Sequence, residues 1–396
     1  MKSQFREFLF EAKQLAGLLA AAATVAVFLY MGVGAVAQSK STLSALPPTP
    51  QAPKDNPTTP AKVALGRLLF WDPLLSGPQD VACASCHHPQ NGYAEDRDLS
   101  LGVTAIGLGS KRRQAPGSSI PIVKRNSPTV VNIAFSGSDE SGRYDPATAP
   151  MFWDLRVKSL EKQALEPLKA HEEMRGTTYK EDEAVASVVA KLQANAEYRS
   201  LFAGAFGSEQ PVNSENLGRA IAAFERTLLA NNSPFDRYMR GDRSAMTEEQ
   251  VSGMQRFERV GCIKCHNGPM FSDYKLHVMG VPDNPALPAS DDGAEKTYAF
   301  RTASLRNLAF TAPYEHNGMF RTLSDVVGFY EDARGGRSRN PNVSSEKVDP
   351  LVRELGDFDE EDVDLVEFLR ALSDDSFDKT IPERVPSGLP VGGKIQ

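Results

Sequence analysis

The sequence is short of cysteine, carries no basic excess and shows almost no strand-like alternation, and each shortage removes a class of protein. Four cysteines in 396 residues are too few for the dense disulfide frameworks of small secreted scaffolds. Lys and Arg number 44 against 51 Asp and Glu, a formal net charge of −7. A nucleic-acid partner would call for a basic footprint, so none is expected. An acidic surface suits small molecules or a basic protein partner instead. With little period-two alternation, the chain reads as mainly α with long loops. Its hydrophobic content of 41% and charge of 24% are ordinary for a soluble globular protein, and its length allows two or three domains.

Lys2, Arg6 and Lys13 precede an uncharged apolar run from Leu15 to about Ala37, closed by the small residues Ala35-Val36-Ala37. This pattern predicts export, either through a cleaved signal peptide or with the run retained as a membrane anchor, for which it is long enough. Both readings place the rest of the chain outside the cytoplasm, in the periplasm. Residues 38–60 hold prolines at 47, 48, 50, 53, 57 and 60 and read as an extended Pro-rich linker. Helical spacing begins at Ala61 with Val63, Leu65, Leu68 and Leu69 and stops at Asp72-Pro73. A second helix starts at Ser214, with Leu217, Ile221, Phe224 and Leu228 on one face, and gives way at Asn231-Asn232-Ser233-Pro234, taken as a domain boundary. Thr247 and Gln250 make a capping box for the next helix. A last helix is expected over 360–372, with Val363, Val366, Phe368 and Leu369 supplying apolar contacts.

All four cysteines fall in two copies of one motif, Cys83-Ala84-Ser85-Cys86-His87 and Cys262-Ile263-Lys264-Cys265-His266. This is the spacing of c-type haem attachment: two thiols for the vinyl groups and an adjacent histidine to bind the iron. A thioredoxin-like pair would not explain the histidine in both copies, and a zinc site would need the copies to meet. Two covalent haem c groups and no disulfide are therefore expected. Each motif is followed by an Asn-Gly pair and an aromatic, Asn91-Gly92-Tyr93 and Asn267-Gly268 with Phe271. The fold reads as two cytochrome c-like haem domains, over 61–232 and 233–396.

Further segments carry a family resemblance: Leu65-Gly66-Arg67-Leu68-Leu69-Phe70-Trp71-Asp72-Pro73, Arg125-Asn126-Ser127-Pro128-Thr129, Phe152-Trp153-Asp154, Ser233-Pro234-Phe235-Asp236, Leu305-Arg306-Asn307 and Thr311-Ala312-Pro313-Tyr314-Glu315-His316-Asn317-Gly318. Together they resemble the bacterial di-haem cytochrome c peroxidase and MauG superfamily, in one order from about Ala61 to Ser373. The resemblance implies a peroxidatic N-terminal haem and an electron-transfer C-terminal haem. Some members place a removable histidine ligand in the first pocket; that position is Val103 here, and no histidine lies between His88 and His171. The first iron is accordingly expected to be open. The second iron's distal ligand falls on Tyr330 by the motif register, with Met270, Met279 and Met319 as rivals; Tyr330 also continues the apolar helical face of Leu323, Val326 and Val327.

The resemblance also carries over Trp153 as the relay between haems, Gln163 and Glu173 as distal pocket residues with Glu172 as a neighbouring rival, and Asn126, Thr311 and Pro313 as calcium ligands. A carboxylate such as Glu173 can take and return a peroxide proton, and an amide with two backbone carbonyls suits calcium. His88, His171 and His277 read as surface or supporting groups. The function implied is a MauG-like peroxidase that oxidises a residue of a partner protein through a high-valent di-haem state. A peroxide scavenger fed by a small cytochrome c or cupredoxin is the alternative, and a passive di-haem electron carrier the third reading.

Overall fold

A computed structural model describes residues 43–139, 142–207, 209–358 and 362–396; the expected export segment lies outside them. Helix α1 (Pro60–Trp71) starts where Thr59 accepts the Lys62 amide and Pro60 takes the first position, and it stops at Asp72, whose carboxylate accepts the Leu74 amide. Such side-chain caps satisfy backbone groups that a helix end leaves free. Then follow α2 (Glu181–Ala194), α3 (Ala196–Phe206) and α4 (Ser214–Glu225). The second half holds α5 (Pro234–Met239), α6 (Glu248–Val260), α7 (Leu323–Ala333) and α8 (Asp362–Ala371). The expected Thr247–Gln250 capping box opens α6, with both reciprocal bonds made at 3.1 and 3.3 Å.

Among the described residues the strands form three antiparallel pairs of two residues each: β1 (Ala105–Ile106) with β2 (Arg113–Gln114), β3 (Pro150–Met151) with β4 (Val157–Lys158), and β5 (Leu276–His277) with β6 (Phe300–Arg301). The chain is thus mainly helical, as expected.

Two close helix crossings organise the core. At Gly66 a Cβ would stand 2.0 Å from the Ala220 carbonyl oxygen, so α1 can lie directly on α4 only because that residue is glycine. At Gly253 a Cβ would stand 1.9 Å from the Asp364 carbonyl oxygen, and α6 lies on α8 in the same way. The predicted face of the Ser214 helix is buried at Leu217, Ile221, Phe224 and Leu228. Behind α6 and α8, the rings of Phe235, Phe257, Phe271 and Phe368 meet mostly edge to face at 5.1–6.0 Å, the geometry aromatic quadrupoles favour.

Three expectations differ from the structure. The described part of the Pro-rich stretch does not swing free: Leu43 and Leu46 are buried, and the Leu46 amide donates to Asp236 Oδ1 at 2.9 Å. The two buried leucines dock it together with the Asn231 side chain, which donates to the Pro47 and Pro48 carbonyls at 2.9 and 3.0 Å. Val363 is 69% exposed, because the buried face of α8 runs through Leu365, Val366, Phe368 and Leu369. The chain end, assigned by sequence to the C-terminal domain, crosses back: Phe377 and Val385 pack with Phe70 and Trp71, and Ser85 Oγ donates to the Gly392 carbonyl at 2.8 Å. Among the described residues no helix is long and apolar enough to cross a membrane.

Candidate haem and peroxide sites

Each Cys-x-x-Cys-His motif is held in a single helical turn, with the histidine amide donating to the first cysteine's carbonyl at 2.9 Å in both copies. The second motif is delivered by Gly261, whose left-handed backbone (φ 98°) ends α6 immediately before Cys262. In both copies the imidazole Nδ1–H donates to a carbonyl just downstream, His87 to Tyr93 at 3.1 Å and His266 to Phe271 at 3.0 Å. That bond puts a proton on Nδ1, so in the neutral ring Nε2 carries the lone pair that an iron-binding histidine uses. Burial pushes both imidazoles below their usual range, which favours the neutral form that binds metal. All four thiols are free of disulfides. The donor set and its orientation fit two attached haems.

In the first half, Glu173 sits on a π-helical turn, His171–Arg175, a geometry common at functional sites. Burial, then Glu172 and Glu166, push its carboxyl up to about 7, so it can exchange a proton near neutrality. Gln163 closes the preceding helical turn, Leu160–Gln163, and is half-buried. Val103 is 1% exposed and its amide donates to the Glu173 carbonyl at 2.8 Å. Its apolar side chain offers an iron no ligand.

In the second half a cavity is bounded by Cys262, Cys265, His266 and Tyr330. Met279 and Glu315 line it as well, whereas Met270 packs with Leu46 and Phe135 and Met319 with Phe320 and Phe329. Of the methionines weighed against Tyr330, only Met279 shares its cavity. Burial holds the Tyr330 phenol well above its usual value, with Glu315 adding to the effect.

Trp153 lies on the wall of this cavity, 9% exposed, with its indole N–H donating to the Asn126 carbonyl at 3.0 Å. Its ring meets His316 edge to face at 6.5 Å, and His316 stacks on Phe300 at 3.6 Å. Asn126 in turn donates its amide to the His316 carbonyl at 2.7 Å and its side-chain nitrogen to the Arg97 carbonyl at 3.0 Å. Asn126, Thr311 and Pro313, the three expected calcium ligands, all lie on the lining of this cavity. Arg125 spans Asp154 and Asp291 at 2.6 Å each beside them.

Sequence reasoning passed over several groups. His277, read as peripheral, is buried between Asp273 at 3.1 Å and Asp349 at 2.8 Å, and is pushed up to about 11 by Asp273 first, then Cys265 and Asp349. Cys265, Asp273 and His277 could together hold a metal ion, but Cys265 also belongs to the second Cys-x-x-Cys-His motif. His88 is also buried, 5.5 Å from Trp71. Glu95 is 1% exposed beside the first motif, and burial pushes it up to about 7. Its only sequence signal is a charge placed just after Tyr93.

Comparison with known proteins identifies the family of the chain. Residues 60–244 match the family model for di-haem cytochrome c peroxidase. The chain is 35% identical to the cytochrome-c peroxidase IdrP1 of Pseudomonas sp. (strain SCT), covering 84% of this chain and 85% of that one. It is 34% identical to the methylamine utilization protein MauG of Methylorubrum extorquens, covering 84% and 83%. The crystal structure of a MauG-like protein associated with microbial copper homeostasis superposes with a TM-score of 0.67 at 28% identity, covering 83% and 94%. The chain belongs to the di-haem cytochrome c peroxidase family, and it is a peroxidase.

Proposed function

We propose that this peroxidase works in the manner of MauG, using hydrogen peroxide to oxidise a residue of a partner protein outside the cytoplasm. Two haems, attached through Cys83 and Cys86 and through Cys262 and Cys265 and bound by His87 and His266, would supply the redox chemistry, accepting two oxidising equivalents from peroxide and holding them. The chain's own residues do the rest. Glu173, with its carboxyl near 7, takes the first peroxide proton and returns it to the departing oxygen, so that two electrons from the partner and two protons complete two waters. Gln163 orients the peroxide by hydrogen bonding. Trp153, held by the Asn126 carbonyl, relays charge between the halves. Tyr330 would hold the second iron through its phenolate oxygen, a ligand type that would favour high oxidation states. The Asn126 side-chain oxygen and the Thr311 and Pro313 carbonyls would hold calcium, hard oxygen donors being what that ion takes.

The observation that carries this reading is Val103: buried, apolar and tied by its backbone to Glu173, it supports a first iron that accepts peroxide without prior reduction. Met279 in the second cavity favours the alternative, a scavenger drawing electrons from a small cytochrome c or cupredoxin. Family membership sets aside the passive carrier. Stopped-flow spectroscopy separates the two enzymes. Peroxide added to the all-ferric protein should give an oxidised state that lasts seconds or longer and decays slowly with cytochrome c donors. Reaction only after one-electron reduction, followed by rapid discharge to reduced cytochrome c, would establish the scavenger.

A further inference from the structure

A buried arginine stands behind the first pocket with no role in the chemistry so far described. Arg112 is 1% exposed, and its guanidinium donates to three backbone carbonyls: Leu101 at 2.7 Å, Gly102 at 3.1 Å and Gly107 at 3.0 Å. Burying a guanidinium is costly unless its donors are matched. Here the nearest carboxylate, Glu95, is 4.0 Å away, so carbonyls of one loop carry most of that compensation.

The loop so held is wedged between the haem attachment and the proton-transfer group. On one side, the Leu101 carbonyl lies 3.9 Å from Cys86 Sγ. On the other, Gly102 is pressed onto the π turn: a Cβ there would stand 2.1 Å from the Glu172 oxygen and 2.2 Å from the Glu173 oxygen. The next amide, Val103, donates to the Glu173 carbonyl at 2.8 Å. The π turn closes on itself through the Arg175 amide on the Ala170 carbonyl at 3.0 Å and the Gly176 amide on the His171 carbonyl at 3.2 Å, whereas the Glu173 carbonyl is taken by the Val103 amide, so residues 101–103 brace the part of the turn that carries Glu173.

We propose that Arg112 is the positioning residue of the peroxide site, clamping residues 101–103 against the backbone of Glu173 and thereby fixing where that carboxyl stands. This rests on the reading of Glu173 as the proton-transfer group. The planar fork is essential, because a lysine offers one point charge and cannot satisfy three separated carbonyls.

The test is a double-mutant cycle on the holoenzyme, reading the second-order rate with peroxide across pH 5–9 and the hydrogen exchange of the Val103 amide. Glu173→Gln should lower the rate by about 100-fold and flatten its pH dependence near 7. Arg112→Gln should lose roughly 10-fold or more and speed Val103 exchange, and adding it to Glu173→Gln should cost less than about 2-fold further. Arg112→Lys should resemble Arg112→Gln and serves in its place if that variant does not accumulate. Multiplicative losses in the double variant, or a slowed reaction with Val103 protection intact, would overturn the clamp. If Glu173→Gln keeps the rate and pH profile of the native enzyme, the proton-transfer reading itself falls. Unchanged Val103 exchange in Arg112→Gln would then independently remove the clamp.

Discussion

The two halves of the molecule are built alike and finished differently. Each has a helix pair crossing at a glycine, Gly66 under α4 and Gly253 under α8, and each follows with a haem motif whose imidazole donates to a downstream carbonyl. Each also has an asparagine in left-handed backbone, Asn132 (φ 63°) and Asn307 (φ 64°), opening a short 3-10 turn. The parallel extends to hydrogen bonds. Asn132 donates its amide to Leu228 and its side-chain oxygen accepts from Ala230, just past the end of α4; Asn307 donates to Leu372 and accepts from Asp374, just past α8. Such agreement points to one structural unit used twice.

The difference lies in the side chains that accompany each motif. The first half sets a buried Val103 against the backbone of Glu173, whose carboxyl burial pushes up to about 7, and the second has a buried phenol and Glu315 on the wall of one cavity. A shared scaffold thus leaves the difference between the halves to a few side chains: Val103 and Glu315 on loops, Glu173 on the π turn and Tyr330 on α7.

That contrast can be broken at the second half. Tyr330→Phe should convert the second haem wholly from low-spin to high-spin while both haems stay attached, making the halves alike in electron paramagnetic resonance. A persistent low-spin signal would transfer the ligand role to Met279. The likeness can be sharpened at the crossings. Gly66→Ala and Gly253→Ala each force a methyl group into a backbone oxygen, and each should cost about 1–3 kcal/mol in a denaturant titration. A neutral result at one site would show that the helix pairs are not equivalent.

The smallest effect concerns His277, which among the described residues has no counterpart flanked by two carboxylates in the first half. Its folded-state value lies above the ordinary one, so its ionic contribution is complete below about pH 6.5 and fades as pH rises toward the folded value. The stability difference between the native protein and His277→Ala should therefore narrow from pH 7 to 9. A difference constant over that range would leave only lost packing.

Much of the scaffold was readable in order along the chain. The α1 stop at Asp72-Pro73, the α4 face and the Thr247–Gln250 box all depend on neighbours within a turn or two, which a sequence displays directly. Leu43, Leu46, Val363 and the 374–396 tail were misjudged because docking depends on partners far away in sequence. His277 and Arg112 were missed for the same reason: their carboxylate and carbonyl partners have no fixed spacing.

What the sequence determined by itself was local: two Cys-x-x-Cys-His motifs, the helices that deliver them, and a valine at 103 whose side chain offers no ligand atom. Only the tertiary structure decided which groups meet. It joined Trp153 to Asn126 and His316, excluded Met270 and Met319 from the second cavity, and raised Glu173 toward neutrality, because burial and long-range contact exist only once the chain has closed on itself.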